Sequence, residues 1–145
     1  MKTTDRLDYA NASPKAFEAM LALENTVRTF GLEKSLLNIV KIRASEINRC
    51  IRCIKMHAED AVERGETTER LDAISEWREA DCFSERERAA LDWTEALTRL
   101  SEGGVSDELF AATSQHFSEA ELTNLTIAII AINGWNRLNV GFGRD

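Results

Sequence analysis

Signals that start and stop helices divide this chain into short segments, and they constrain its fold more than any other feature. Ser13 followed by Pro14 is a typical helix start, and Ser-x-x-Glu capping boxes begin at Ser84 and Ser118. Glycines follow several apolar helical stretches, and no alternating β pattern of useful length occurs. The sequence therefore predicts an all-α fold of about seven helices in an orthogonal or bundle-like array.

The predicted helices combine these signals with apolar residues at helical spacing. The segment from Cys50 to Arg64 is closed by Gly65 as a C-terminal cap. The last helix is apolar on nearly every side between 125 and 132, so we expect other helices or a second subunit to enclose it. The predicted ranges are 14–30, 32–48, 50–64, 67–77, 84–100, 106–117 and 118–138.

Length and composition favour one domain over 1–145. The chain has 145 residues, 43% apolar and 30% charged, with a single proline and no linker-like stretch. Its net charge of −7 argues against a nucleic-acid partner, since phosphate binding needs concentrated positive charge. The longest apolar run has six residues, 127–132, so we expect no membrane span. Three cysteines and no apparent export signal favour the reducing cytoplasm.

A dithiol and a histidine carry the candidate chemistry. At 100° per residue, Cys50, Cys53 and His57 share one face of a helix. The thiolate is favoured near a helix N-terminus, and Arg49 adds positive potential if helical geometry extends that far back. His57 is placed to act as a general base beside a thiol. One thiolate would attack a peroxide O–O bond, and the second thiol would resolve the sulfenic acid into a disulfide.

Other interpretations of these residues remain open. Two cysteines on a helix are also typical of buried, inert thiols. A structural zinc site would need a fourth ligand, and Cys82 and His116 stand at no recognised zinc spacing, so we expect neither a metal nor a cofactor. Cys82 is interpreted as a spectator thiol. The three tryptophans are interpreted as core or interface aromatics: Trp77, Trp93 and Trp135.

With these residues in place, the chain resembles the alkylhydroperoxidase D-like, carboxymuconolactone decarboxylase superfamily. The resemblance is carried by Ser45-x-x-Asn48-x-Cys50-x-x-Cys53-x-x-x-His57, and by segments 65–67, 83–91 and 131–137 in the same order. It implies an all-helical fold that assembles into trimers or hexamers, with the active site near a subunit interface. It also implies that Cys53 attacks the peroxide, Cys50 resolves it and His57 relays the proton.

The sequence departs from the family pattern at the proton relay. Asn38 stands where peroxidase members have a glutamate, and an amide cannot carry a proton. Glu46 stands where relatives usually have glutamine, and it lies one turn before Cys50 if the helix is unbroken. Our hypothesis is that Glu46 takes the place of the missing relay glutamate. Arg49 and Arg52 replace a small and an aromatic residue, which makes the mouth of the site more cationic.

Two functions follow from these features. The first is a thiol peroxidase that reduces hydroperoxides and is recycled by a dithiol or disulfide reductant partner, as part of antioxidant defence. The second is a disulfide oxidoreductase or redox-sensing module without efficient peroxidase activity, which the missing glutamate at Asn38 favours. The decarboxylase branch of the superfamily generally lacks the two cysteines.

Overall fold

The computed structural model describes residues 5–143, and within that range it contains only helices, turns and loops. The prediction of an all-α fold is confirmed. Residues 5–143 form nine α-helices and one 3₁₀ turn, Ile74–Glu76, which follows the fifth helix. Their bounds are α1 Tyr9–Ala12, α2 Pro14–Val27, α3 Lys34–Ile47, α4 Ile51–Glu63, α5 Thr68–Ala73, α6 Glu85–Thr98, α7 Leu100–Gly103, α8 Asp107–Ser114 and α9 Glu119–Gly141.

The predicted count of about seven helices was wrong by two short elements. Both α1 and α7 have four residues, which is too short to show apolar periodicity in a sequence. The Asp8 side chain caps α1 by accepting a hydrogen bond from the Asn11 amide. A break at Arg99, with φ −103° and ψ 39°, separates α7 from the end of α6. The predicted helix 84–100 therefore ends at Thr98.

The strongest local signals were confirmed in detail. Ser84 and Ser118 each begin a complete capping box, with the serine side chain and the third-residue glutamate satisfying each other's backbone amides. Gly65 follows α4 with φ +97°, a conformation that favours glycine. These devices fix where α4, α6 and α9 begin or end.

Helix α3 lies at the centre of the molecule and packs against α4, α6 and α9, while α2 packs on α9. Most of α3 is buried, including Ile39 and Val40. The apolar stretch of α9 is enclosed on the side of Leu125, Ile129 and Ile132, but Ile130 is 53% exposed. The described chain therefore encloses only part of that stretch, and a covering second subunit stays a prediction. Among residues 5–143, no helix has both the length and the apolar character needed to cross a membrane.

Candidate active site

Two cysteines stand at the junction between α3 and α4. Cys50 has an extended backbone and forms the N-cap of α4, and Cys53 lies in the first turn. Their sulfurs form a disulfide, with the Cα atoms 5.3 Å apart, and both residues are buried. The pair thus lies at a helix N-terminus, where free amides and the macrodipole favour a thiolate once the disulfide is reduced.

Arg49 forms the turn that brings Cys50 to this position. Its φ is +57°, in the left-handed region that residues other than glycine rarely adopt. Helical geometry therefore does not extend back beyond Cys50, and Arg49 is exposed outside the helix. Arg49 therefore does not share a helical face with Cys53, as it would if α4 began earlier in the chain. Instead, the Cys50 amide donates to the Ser45 carbonyl at 2.9 Å.

His57 lies one turn after Cys53 on α4, as the sequence pattern indicated. Burial lowers the pKa of His57 from its ordinary value to about 4, and the nearby ammonium group of Lys41 lowers it further in the same direction. The imidazole is therefore neutral near pH 7. A neutral ring can accept a proton from a thiol, which is the role of a general base.

A hydrogen-bond donor from α9 reaches the Cys53 sulfur. The Asn139 Nδ2 group donates to Cys53 Sγ at 3.4 Å, and the Tyr9 hydroxyl donates to Asn139 Oδ1 at 3.0 Å. The tyrosine thus fixes which end of the amide faces the sulfur. Neither Tyr9 nor Asn139 was predicted from the sequence, because they lie 130 positions apart in the chain.

A layer of neutral polar side chains joins the α3–α4 junction to α9. The Asn48 side chain donates to Asn133 Oδ1 and to Asn136 Oδ1, both at 2.9 Å. Asn136 is fully buried and donates in turn to the Ser45 hydroxyl at 2.9 Å. We call these four residues the amide layer. It holds the turn that carries the dithiol against α9 without using a charge.

A cavity of about 770 Å³ lies beside the dithiol. His57 and Asn139, the donor to the Cys53 sulfur, line it, whereas the buried Cys50 and Cys53 themselves do not. A buried ion pair lies in its wall, with Lys41 Nζ 3.2 Å from Glu24 Oε2. The indole of Trp135 donates to Glu24 Oε1 at 3.1 Å, so this tryptophan belongs to the cavity wall as well as to the packing of α9. Glu24 and Lys41 were not predicted from the sequence, although a charged residue on the inner side of an apolar helix is a recognisable signal.

The two residues weighed for the proton relay occupy different places. Asn38 is buried and lines the cavity, on the same wall as Lys41. Glu46 instead pairs with Arg43 at 3.1 Å, and burial raises the pKa of Glu46. No hydrogen bond among residues 5–143 joins Glu46 to the dithiol. The structure therefore brings Asn38, but not Glu46, to the cavity beside His57.

The remaining candidates lie around or away from this site. Arg52 lines the cavity and is exposed, whereas Cys82 is a free thiol in the loop before α6. The Cys82 carbonyl accepts a hydrogen bond from Arg70. Within residues 5–143, His, Cys, Asp and Glu side chains form no group of three or more that could hold a metal ion.

Comparison with known proteins identifies close relatives of this chain. Residues 14–96 match the model of the carboxymuconolactone decarboxylase family. The chain is 32% identical to the uncharacterised protein YdfG of Bacillus subtilis (strain 168) over 140 residues, 97% of this chain and 95% of that protein.

Solved structures show the same fold. ATU0492 of Agrobacterium tumefaciens, a protein of unknown function provisionally named the antioxidant defence protein AhpD, is 43% identical, with a TM-score of 0.93 over 96% of this chain and 95% of that one. The debrominase Bmp8 in complex with 2,3,4-tribromopyrrole shares the fold at 20% identity, with a TM-score of 0.81 over 91% of this chain and 71% of that one. The chain belongs to the carboxymuconolactone decarboxylase family and has an AhpD-like fold.

Proposed function

We propose that this protein is a thiol-dependent peroxidase that reduces organic hydroperoxides through a Cys50–Cys53 dithiol/disulfide cycle. The observation that carries the proposal is the disulfide at the start of α4, next to a neutral histidine and a cavity large enough for a small organic molecule. The likeness to ATU0492, with its provisional antioxidant name, supports the same activity.

The reaction balances with these two sulfurs and one reductant. The Cys53 thiolate attacks the hydroperoxide oxygen, the O–O bond breaks, and the alkoxide leaves as an alcohol after taking a proton. Cys53 is then a sulfenic acid. The Cys50 thiolate attacks that sulfur, the S–S bond forms, and water leaves. A dithiol reductant from a partner protein returns two electrons and two protons to the disulfide.

His57 and Asn139 act on the attacking sulfur in this proposal. The neutral imidazole of His57 accepts the thiol proton of Cys53 and passes it to the departing alkoxide. The Asn139 amide donates to the sulfur and stabilises the thiolate, since hydrogen bonds to a charged group are stronger than those to a neutral one. Assembly into a trimer or hexamer is part of the same proposal, because it would cover exposed apolar residues such as Ile130.

Rapid mixing of the reduced protein with an organic hydroperoxide, followed by counting of free thiols, tests the proposal. Two thiols should disappear rapidly in the wild-type chain and none from the motif in Cys53→Ser. The Cys50→Ser variant should instead give a sulfenic acid that a specific reagent traps. Cys82→Ser is the matched control, since this thiol lies outside the cavity, and it should react like the wild type.

A disulfide oxidoreductase is the second candidate, and Asn38 in the cavity wall favours it. The position that carries a glutamate in the peroxidases here holds a group that cannot move a proton. The debrominase Bmp8 also has this fold, so the fold alone does not define the reaction. Thiols that persist for minutes in excess hydroperoxide but exchange rapidly with a model disulfide would establish this candidate and overturn the peroxidase.

A further inference from the structure

The cavity beside the dithiol combines an apolar wall with an unusual number of cations. Its apolar lining comes from α2, α3, α4, α9 and the segment between α2 and α3: Phe17, Leu21, Leu32, Leu37, Met56 and Trp135. Its charged lining has five cations and two carboxylates, although the whole chain carries a net charge of −7. The excess of positive charge is therefore a local property of this cavity.

Two of the five cations are neutralised within the wall. Lys41 pairs with Glu24 at 3.2 Å, and Arg64 pairs with Asp60 at 3.1 Å. Arg28, Lys34 and Arg52 also line the cavity, and no ion pair joins them to a carboxylate within residues 5–143. Three positive charges are thus left to face the cavity and its mouth, where they would attract an anion.

Lys34 and Arg28 lie in different parts of the cavity wall. Lys34 begins α3, so the helical rise places it about 10 Å along α3 from Lys41, the ammonium group that acts on His57. Arg28 follows the end of α2 and lines the same cavity. In addition to burial, the charge of Arg28 reaches His57 and lowers its pKa, so Arg28 lies between Lys34 and the chemistry in its electrostatic reach.

We propose that the cavity binds organic hydroperoxides that carry a carboxylate on an apolar chain. The apolar wall covers the chain, Arg28 and Lys34 bind the carboxylate, and the hydroperoxide lies beside Asn139 and His57. Identifying the ligand as a hydroperoxide rests on the proposed function. Selectivity for an apolar chain with a carboxylate rests only on the lining of the cavity.

Binding is measured first on the oxidised protein, in which the disulfide prevents peroxide turnover. The probes are decanoate and 1-decanol, which share a chain length and differ in charge, and tryptophan fluorescence reports binding because Trp135 lines the cavity. Decanoate should bind about tenfold more tightly than decanol, and added salt should reduce that difference, because the charges lie near solvent. Equal affinities for the two probes would overturn the proposal.

A double variant locates the charge effect. Arg28→Gln with Lys34→Gln should weaken decanoate binding about tenfold and leave decanol binding unchanged. Lys55→Gln is the matched control, because Lys55 is an exposed cation on α4 that does not line the cavity. The same loss in Lys55→Gln would mean that only the overall charge matters, and the proposal would be wrong.

Kinetics separate this inference from the proposed function. A hydroperoxide with a free carboxylate should oxidise the reduced protein about tenfold faster than its methyl ester at low substrate concentration. Selective decanoate binding without oxidation by either hydroperoxide would overturn the peroxidase and leave the ligand class supported. Equal oxidation by acid and ester, with equal binding of decanoate and decanol, would support the peroxidase and overturn the ligand class.

Discussion

The two sides of α3 are stabilised by different chemistry. On the side of α5 and α6, ion pairs join the elements, and Glu95 accepts hydrogen bonds from Arg43 at 2.8 Å and from Trp77 at 2.9 Å. Burial alone would raise the pKa of Glu95, but the hydrogen bonds from Trp77 and Arg43 outweigh it and lower the pKa. On the side of α4 and α9, the hydrogen bonds by which the amide layer joins the α3–α4 junction to α9 are between neutral groups. The exposed Arg137 of α9 also donates to Asn133 Oδ1 at 2.9 Å, but within the same helix.

This difference suits a site that changes its own charge. The thiolate formed on reduction of the disulfide is a new negative charge at the start of α4, and fixed carboxylates beside it would disfavour that charge. Neutral amides instead supply donors and hold the geometry in both redox states. The ion pairs between α3, α5 and α6 stabilise the fold away from the dithiol. In the cavity wall, the carboxylates of Glu24 and Asp60 are each balanced by a cation, Lys41 and Arg64.

The largest expected effect is the loss of stability when the hydrogen bonds of the amide layer are removed. Asn136→Ala removes two hydrogen bonds and opens a small cavity. The buried Ser45 hydroxyl loses its bond from Asn136, and the Asn48 amide keeps only its bond to Asn133. We expect the free energy of unfolding to fall by about 4 kcal/mol in urea denaturation. Asn124→Ala, on the same helix but outside the layer, should change it by less than about 0.5 kcal/mol. Similar losses in both variants would show that the amide layer contributes no more to stability than other polar residues of α9.

The second effect concerns His57 and pH. The pKa of His57 is about 4 in the folded chain and near 6.5 when unfolded, so the unfolded state binds the proton first as pH falls. The contribution to stability is complete above about pH 6.5 and is lost between pH 6.5 and 4, by about 3 kcal/mol in total. Urea denaturation at several pH values should show this loss in the wild type and not in His57→Gln. Identical pH profiles would contradict the burial of an uncharged imidazole.

The third effect concerns the donor to the Cys53 sulfur. In a Cys50→Ser background, Asn139→Leu removes that donor, and we expect the pKa of the Cys53 thiol to rise because the thiolate loses a hydrogen bond. Tyr9→Phe leaves the amide in place but unfixed, so its effect should be smaller and in the same direction. The pH dependence of Cys53 alkylation measures the thiol pKa in both variants. An unchanged thiol pKa in Asn139→Leu would remove Asn139 from the mechanism.

The fourth effect tests the ion-pair side. Arg70 contacts Glu66 at 2.8 Å and Glu87 at 2.6 Å, but all three side chains retain some exposure to solvent. Arg70→Gln should lower the free energy of unfolding by about 1 kcal/mol, and less at high salt. Denaturation at two salt concentrations measures this. A loss as large as that of Asn136→Ala would reverse the comparison between the two sides.

The smallest effect is expected at Glu46. Its carboxylate pairs with Arg43 rather than with the dithiol, so Glu46→Gln should change the rate of thiol oxidation by less than about twofold. Asn38→Glu is the informative partner, because it would place a carboxylate in the cavity wall and should accelerate oxidation if a relay is missing. A large loss in Glu46→Gln would restore Glu46 as the relay residue.

The sequence predicted what depends on local chemistry. The capping boxes at Ser84 and Ser118 were found because the pattern and its structural consequence lie within four residues. The four-residue helices α1 and α7 were missed because they depend on a single cap or on a backbone break, and neither produces a periodic pattern.

The candidate residues that the sequence predicted at the cavity lie on α4 and at Asn38 of α3. Cys50, Cys53 and His57 are close in sequence, whereas Glu24 and Trp135 meet across 111 positions. One signal was available but unused, since polar Asn133, Asn136 and Asn139 recur every three residues in an otherwise apolar helix. Such spacing places them on neighbouring parts of one face, and buried amides need partners.

The same spacing means that the length of α9 sets the orientation of all three asparagines. All three asparagines depend on one uninterrupted helix that starts at a fixed capping box, Ser118 to Glu121. Inserting or deleting one residue between the box and Asn133 would rotate every one of them by about 100° at once. The length of α9 between the capping box and Asn133 is therefore constrained to the single residue.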